Sequence, residues 1–364
     1  MLKVLFVFNH PAPYKVKFLN ELAKHTDLTV IFERDKNANR NNLFYSEHKC
    51  DFKLVKVHGL KLGNENIISS GVKKHIQNNQ YDLIIMNGYS NFAEMSAIRY
   101  MKNHNIEYAL YINGGIIKVN EPEWKRKLKT KYIEGAKFYF SPDERSNEYL
   151  KYYGADKNKI FNYPYSTIYE NEIIKDKPSK EQIDDIKKEY GINSDKIFVS
   201  SGQLISRKNY LGLVKAWKDL PSDYELIIAG DGKQRNKIMG FLRKNNMKNV
   251  ILTGFLNKEK MFKLFSISKA FVFPSKEDIY GHVINEAMSQ GIPTISTNNV
   301  NSSLHLIKES MNGFIIEDIN SKKFIDALNY TLSNDMFDNC VKTAKDNTIE
   351  KMTEVNLKII KENT

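Results

Sequence analysis

The chain has 364 residues, of which 41% are hydrophobic and 27% charged, and its formal net charge at pH 7 is +12. This length exceeds one ordinary hydrophobic core, and the composition excludes low-complexity and collagen-like proteins. The positive charge leaves two interpretations open, an anionic partner or a lysine-rich composition without one. Two distant cysteines, Cys50 and Cys340, argue against a disulfide framework and predict a reducing compartment.

The first apolar run, residues 2–8, has the length of a β-strand and no small-residue cleavage site after it. We therefore predict a strand at this position and not a signal peptide. No apolar run approaches the roughly 18 residues that a membrane span needs. The expected location is the cytoplasm, or the inner face of a membrane.

Strand-length apolar runs alternate with helix-length amphipathic stretches along the whole chain, which is typical of parallel sheets with βαβ crossovers. The first helical stretch, residues 15–24, places Val16, Leu19, Leu22 and Ala23 on one face. The predicted strands are residues 2–8, 28–32, 52–57, 83–86, 108–112, 138–140, 197–200, 226–229, 250–252, 270–273, 294–296 and 314–316.

The alternation pauses between residues 163 and 194, where Pro164, Pro178 and a charged run occur. This pause predicts a domain boundary. We expect two Rossmann-like α/β domains, residues 1–164 and 165–346, with two parallel sheets that face each other across a cleft. The last helix, residues 347–364, is expected to pack back on the first domain. Ligands of such sheets bind at the carboxyl ends of the strands.

The second domain opens with a strand that runs into the turn Gly202-Gln203. Arg207 and Lys208 follow at the start of a helix predicted over residues 210–218. Cations at a helix N-terminus would bind a diphosphate, because free backbone N–H groups and the helix dipole also attract anions there. The alternative is a pair of solvated surface cations.

Two further strands of this domain end in glycine. Gly230 and Gly232 follow one strand, and Gly254, Phe255 and Leu256 follow the next. Glycine lets the backbone approach a ligand closely, and the backbone at Gly254 could bind the edge of a nucleobase. Tight turns between a strand and a helix also need glycine without any ligand.

The most informative segment, residues 271–295, has the pattern strand, loop, helix, glycine and strand. Asp278 precedes the predicted helix, whose N-terminus includes Tyr280, Gly281, His282 and Val283. Glu286 is predicted about two turns inside the helix. Two carboxylates would then accept hydrogen bonds from ribose and sugar hydroxyls, while the free N–H groups bind phosphate. The alternatives are a helix cap at Asp278 and a solvated Glu286.

Together, Arg207-Lys208, the loop at residues 230–232 and the segment from Asp278 to Glu286 resemble the donor domain of glycosyltransferase family 4. Its members are retaining enzymes of the GT-B fold. The resemblance implies that Glu286 holds the nucleotide ribose and that Asp278 reaches the transferred sugar.

This chain departs from the family pattern at two donor positions. Asp278 stands where the family has a glutamate, and Gln203 stands where the family has an arginine. We expect Arg207, beside the matching Lys208, to supply the missing charge.

The first half of the chain resembles the family less. The loop after the first strand contains His10 and lacks the usual Gly-Gly pair. A later turn, Asn113-Gly114-Gly115, stands near the place where many members have a histidine that faces the sugar. Asn113 or the glycine backbone is therefore the expected acceptor-side group. His10 is either a residue of the cleft or an ordinary structural histidine.

The resemblance implies a retaining transferase that uses a nucleoside-diphosphate sugar, with a UDP-sugar favoured. The implied acceptor is a glycan or lipid-linked glycan of surface polysaccharide biosynthesis. Arg207, Lys208 and Asp278 are the predicted catalytic set, in which the cations stabilise the departing diphosphate. The chain has no Asp-x-Asp sequence and no clustered metal-ligand spacing, so we expect neither a metal nor a cofactor besides the sugar nucleotide.

Residues 120–138 are rich in lysine and contain Trp124. Such a helix either contacts an anionic membrane surface or is an ordinary solvated helix. A catalytically inactive sugar-nucleotide-binding protein stays open as an alternative function. A nucleic-acid-binding protein is suggested by charge alone, and no recognisable nucleic-acid-binding module supports it, so we expect no nucleic-acid partner. Epimerases and phosphorylases share the fold but fit the motifs less well.

Overall fold

The computed structural model describes residues 1–34, 49–57, 59–62 and 66–364. They form two compact units, residues 1–167 with 348–364, and residues 168–347. The boundaries expected from the sequence, after residues 164 and 346, lie three residues and one residue from these. The C-terminal segment thus belongs to the first unit.

The described part of the first unit contains a seven-stranded parallel sheet and a separate antiparallel pair of short strands, residues 60–62 and 66–68. The strands are β1 (Lys3–Phe8), β2 (Asp27–Phe32), β3 (Lys53–Lys56), β4 (Leu60–Leu62), β5 (Asn66–Ile68), β6 (Leu83–Met86), β7 (Ala109–Tyr111), β8 (Tyr139–Ser141) and β9 (Ile160–Asn162). The helices are α1 (Pro13–Ala23), α2 (Gly71–Asn78), α3 (Phe92–Asn103), α4 (Glu123–Ile133), α5 (Glu144–Tyr152) and α14 (Ile349–Asn363). The strand order is β3-β2-β1-β6-β7-β8-β9.

The second unit contains a six-stranded parallel sheet in its described residues. Its strands are β10 (Lys196–Ser201), β11 (Tyr224–Ala229), β12 (Val250–Gly254), β13 (Ala270–Phe273), β14 (Thr294–Thr297) and β15 (Gly313–Ile316). Its helices are α6 (Lys180–Tyr190), α7 (Tyr210–Trp217), α8 (Arg235–Lys244), α9 (Lys258–Ile267), α10 (Val283–Met288), α11 (Asn301–Leu306), α12 (Lys322–Ser333) and α13 (Phe337–Lys345). The strand order is β12-β11-β10-β13-β14-β15.

Both units confirm the predicted parallel α/β fold. Strands buried on both faces read as continuous apolar runs, which is why the central strands were identifiable. In β11 and β13, for example, every residue is buried. Three short strands were missed. In β9 two residues are partly buried and Asn162 is exposed, so its sequence has no strand-length apolar run. In α1 the buried face includes Phe18, whereas Ala23 is only partly buried.

In both sheets the strand order reverses beside the first strand of the unit. β1 pairs with β2 on one side and β6 on the other, and β10 pairs with β11 and β13. The loops that follow two such neighbouring strands lie next to each other and leave a ligand-binding crevice at the sheet edge. The structure therefore has one candidate site at each reversal point.

The C-terminal helix α14 packs against α1 of the first unit. Its buried residues recur at helical spacing: Ile349, Met352, Thr353, Asn356, Ile359 and Ile360. This buried, mostly apolar stripe needs a partner surface, which α1 supplies.

Two buried carboxyl groups lie at the end of the first sheet. Glu33 follows β2, and Glu94 lies in the first turn of α3. Asn91 joins them, because its side-chain amide donates to Glu33 Oε2 and its backbone N–H donates to Glu94 Oε2 at 3.3 Å. Burial is the main cause that raises the pKa of both carboxyls, and it raises the pKa of Glu33 to about 9.

A raised carboxyl pKa makes the folded chain bind more protons than the unfolded chain at intermediate pH. The free energy of unfolding should therefore fall as pH rises from about 5 to about 9. We expect Glu33→Gln to reduce this slope, by up to about 1.4 kcal/mol per pH unit. The measurement is denaturant unfolding at a series of pH values, with the exposed carboxylate variant Glu134→Gln as control. Equal slopes for wild type and Glu33→Gln would contradict this assignment.

Candidate functional site

The loops after β10 and β13 are joined by hydrogen bonds at the reversal point of the second sheet. The carbonyl oxygen of Arg207 accepts the N–H of Lys276 at 2.8 Å and the hydroxyl of Ser275 at 3.3 Å. In return, Arg207 Nη1 donates to the carbonyl oxygen of Glu277 at 3.1 Å. These bonds fix the guanidinium group against the segment that carries Asp278.

Lys208 and Asp278 form an ion pair between Nζ and Oδ2. Arg207 Nη1 lies 3.9 Å from the same carboxylate oxygen. The Lys208 ammonium also lies 4.4 Å from the centroid of the Phe273 ring. The side chains of Lys208 and Asp278 are only 11% and 16% exposed, whereas that of Arg207 is 47% exposed. Two cations and one carboxylate thus give this corner a net positive charge.

The two cations stand directly before α7, which begins at the predicted residue, Tyr210. Both cations belong to a 3-10 turn, Ser206–Lys208, and Asn209 then adopts a left-handed conformation with φ of 60°. The left-handed residue turns the chain between the two cations and the helix.

The Asp278 backbone is anchored by a parallel bridge to Val300. Its N–H donates to the carbonyl of Asn299 at 3.1 Å, and its own carbonyl accepts from the N–H of Asn301 at 3.3 Å. Asp278 Oδ1 also accepts the N–H of Tyr280 at 3.3 Å. Asp278 is therefore not the N-cap of α10, a position held by His282.

α10 starts at Val283 and has six residues, so Glu286 lies in its first turn and not two turns inside it. The N–H of Ile284 donates to the carbonyl of Gly281 at 3.1 Å, and that of Glu286 donates to the carbonyl of His282 at 3.2 Å. Since so short a helix has few aligned peptide dipoles, Arg207 and Lys208 are the main source of positive charge here.

Gly281 has a φ of +93°, and a Cβ added there would lie 2.7 Å from Val300 Cγ1 and 3.2 Å from the Phe273 ring. Gly281 and the Lys208 ammonium thus lie against the same aromatic ring. Tyr280 is buried, and its ring centroid lies 5.0 Å from that of His282. His282, Val283 and Glu286 are partly exposed.

The predicted glycines at the ends of β10 and β11 pack backbone against backbone. A Cβ on Gly230 would lie 1.9 Å from the carbonyl oxygen of Gly202, and one on Gly232 would lie 2.7 Å from that of Leu204. The N–H of Gly230 donates to the carbonyl of Gly254 at 2.7 Å. Contact between neighbouring loops therefore requires Gly230 and Gly232, whatever ligand they approach.

The remaining donor-side candidates lie around these turns. A Cβ added at Gly202 would lie 2.6 Å from the Tyr210 hydroxyl oxygen. Gln203 and Phe255 are exposed, and Leu256 is partly exposed. The three strand ends thus present Gln203 and Phe255 at one sheet edge.

Gly230→Ala should disrupt this packing, because the new methyl group would overlap the Gly202 carbonyl at a φ of +151°. We expect a loss of about 3 kcal/mol or more in the free energy of unfolding. The control is Gly240→Ala inside α8, where an added Cβ meets nothing within 4 Å. That variant should gain about 0.5–1 kcal/mol. Calorimetric melting checks both values, and an unchanged melting temperature for Gly230→Ala would contradict the packing argument.

A second polar cluster lies at the reversal point of the first sheet. Lys15 Nζ donates to Asn9 Oδ1 at 2.9 Å and to Asn87 Oδ1 at 3.4 Å. The side-chain amides of Asn87 and Asn113 donate to each other at 3.3 and 3.2 Å. The sequence motifs did not indicate Lys15, Asn9 or Asn87 as site residues. The sequence pattern that could have identified both asparagines is a polar residue directly after a buried strand.

The other acceptor-side candidates have structural contacts in the first unit. A Cβ on Gly115 would lie 2.4 Å from the Tyr149 ring, and the Gly115 N–H lies 3.2 Å from Ser146 Oγ. Gly114 has a φ of +136°. His10 is buried, and its N–H donates to Asn9 Oδ1 at 2.8 Å. The close packing of this turn against α5 explains why residue 115 is a glycine.

Among the described residues, no helix combines the length and the apolar character needed to cross a membrane. Over the same ranges, no three histidine, cysteine or carboxylate side chains are grouped so that they could hold a metal ion.

Residues 182–348 match the family model for glycosyl transferases group 1. Two curated relatives are also similar. One is the N-acetylgalactosamine-N,N'-diacetylbacillosaminyl-diphospho-undecaprenol 4-alpha-N-acetylgalactosaminyltransferase of Campylobacter jejuni, 25% identical over 39% of this chain and 38% of its own length. The other is the alpha-D-kanosaminyltransferase of Streptomyces kanamyceticus, 24% identical over 43% of this chain and 41% of its own length. The chain thus spans about two fifths of the length of these relatives.

The whole chain is similar in fold to HepE of Anabaena, whose structure was solved in complex with UDP. The TM-score is 0.81 at 15% sequence identity, and the match covers 99% of this chain and 100% of that one. The two parallel-sheet units and the motifs of the second unit are both consistent with these similarities. Residues 182–348 therefore resemble the glycosyl transferases group 1 family, and the chain has the GT-B fold.

Proposed function

We propose that this protein is a retaining glycosyltransferase that takes a sugar from a nucleoside diphosphate, with UDP favoured. The observation that carries the proposal is the group of Arg207, Lys208 and Asp278 at the reversal point of the second sheet. The proposed acceptor is a glycan or lipid-linked glycan in surface polysaccharide biosynthesis. The relative from Campylobacter is named for a diphospho-undecaprenol acceptor, and HepE was solved with UDP, which supports this choice.

The proposed chemistry follows from the charges. When the sugar leaves, the nucleoside diphosphate gains negative charge, and Arg207 and Lys208 can stabilise this charge without any reorganisation of the loop that holds them. Glu286 would accept hydrogen bonds from ribose hydroxyls, and Asp278 from hydroxyls of the donor sugar. In this scheme the two cations do the work that a metal ion does elsewhere, so we propose metal-independent transfer.

Replacing both cations should abolish donor binding and turnover. For Arg207→Ala/Lys208→Ala we expect kcat/KM to fall by about 10⁴-fold or more, because each cation supplies a few kcal/mol to the departing diphosphate. Thermal shift with UDP, GDP, ADP and their sugars measures binding, since a ligand that binds the native state raises the melting temperature. Hydrolysis of the sugar nucleotide measures turnover. Wild type should hydrolyse it at equal rates with and without EDTA.

The matched control is Lys215→Ala/Lys218→Ala, which removes two exposed lysines near α7 and leaves Arg207 and Lys208 in place. This variant should keep wild-type binding and rate. Near-normal activity of the Arg207→Ala/Lys208→Ala variant would contradict the proposed function. Binding of a sugar nucleotide without any turnover would favour the inactive sugar-nucleotide-binding protein instead.

We also propose that α4 contacts an anionic membrane surface. Trp124, Lys127, Leu128 and Lys131 are spaced three or four residues apart, so they share one face of the helix. Trp124 is 63% exposed, Leu128 38%, and Val119 just before the helix 83%. Exposed aromatic and aliphatic groups flanked by lysines are typical of helices that lie in a lipid headgroup layer.

Flotation with vesicles tests this contact. Wild type should float with phosphatidylcholine vesicles that contain phosphatidylglycerol and not with pure phosphatidylcholine. Lys127→Gln/Lys131→Gln should lower the bound fraction at least several-fold, since each basic residue contributes about 1 kcal/mol at an anionic surface. The control is Lys342→Gln/Lys345→Gln, which removes two exposed lysines of α13. Equal flotation of wild type and the α4 variant would rule the contact out.

A further inference from the structure

The Lys208–Asp278 ion pair joins the two groups that the donor needs separately. The cation suits the diphosphate, and the carboxylate suits a sugar hydroxyl, yet here each is bound to the other. We propose that the pair is an exchange switch: the diphosphate draws Lys208 away from Asp278, and the released carboxylate then binds the donor sugar. This inference rests on the proposed function of the site.

Burial makes the exchange obligatory. The two side chains are mostly shielded from water, and a buried charge that loses its partner without replacement is strongly destabilising. Lys208 can therefore leave Asp278 only when another anion accepts its ammonium group. A diphosphate provides that anion, and Arg207, 3.9 Å from the carboxylate and half exposed, provides the first charge to attract it.

Asp278 also needs replacement partners once Lys208 has moved. The N–H of Tyr280, 3.3 Å from Oδ1, remains, and Arg207 stays near Oδ2. These two contacts leave carboxylate acceptor capacity unused, which hydroxyl groups of a sugar would fill. A nucleoside diphosphate without its sugar supplies the anion for Lys208 but nothing for Asp278.

The switch therefore predicts that the site discriminates the donor from its own product. An intact sugar nucleotide satisfies both members of the broken pair, whereas the product nucleoside diphosphate satisfies only Lys208. After transfer, re-formation of the ion pair competes with the product and promotes its release. Asp278 thus acts on the diphosphate through Lys208, as a positioning residue, besides its contact with the sugar.

The test is calorimetric titration of the full chain with UDP and UDP-glucose, and with GDP and GDP-mannose. We expect Asp278→Asn, which keeps the shape but not the charge, to bind the bare diphosphate about 3- to 10-fold more tightly than wild type. The ratio of its affinity for the sugar nucleotide to its affinity for the bare diphosphate should fall to about one. Asp278→Glu keeps the charge and should retain both the wild-type affinity for the diphosphate and the preference.

The matched control is Glu277→Gln, which removes an exposed negative charge from the adjacent residue without touching the pair. It should change both affinities equally, by less than about twofold, as a screened surface charge does. Asp278→Ser is the second variant, should Asp278→Asn not fold. Unchanged or weaker diphosphate binding by the folded neutral variants would overturn the switch. If wild type and all variants bind no nucleotide at all, the proposed function itself fails.

Discussion

The parallel pairing of β10 with β11 on one side and β13 on the other determines most of what the second unit can do. In this register Ser201 lies beside Ala229 and Val199 beside Phe271, so three strands end at one edge of the sheet. The loops that follow must then share a narrow space. Glycine is required where two of them touch, because the Gly202 carbonyl occupies the volume that a side chain at residue 230 would need.

The same crowding explains how the charged corner is held. Arg207 is fixed by hydrogen bonds of its carbonyl group and its guanidinium group to the loop after β13, and Asp278 is fixed by its bridge to Val300. Lys208 is then bounded by a carboxylate on one side and the Phe273 ring on another. Backbone contacts preorganise Arg207 and Asp278, so these two residues lose little conformational entropy when an anion binds.

The first unit repeats the topology with different chemistry. Its reversal point lies between β1 and β6, and there Lys15 is held by amide oxygens where the second unit has a carboxylate. The neighbouring carboxyls of Glu33 and Glu94 have raised pKa values because of burial. A shared sheet architecture thus supports two unlike polar clusters, since the strands fix only where the loops begin and the loop residues decide the chemistry.

The sequence by itself determined the two parallel sheets and the segments of the donor motif, because buried strands and glycine turns leave local patterns. β13, for example, was predicted with its observed bounds, residues 270–273. It did not determine that Asn209 separates the cations from α7, that Glu286 lies in the first turn of α10, or that Lys208 pairs with Asp278, 70 residues away. It also gave no sign that Lys15 would lie between two asparagines from different loops. Contacts between distant loops depend on which strands are neighbours in the sheet, and that order is a property of the folded chain and not of any local pattern.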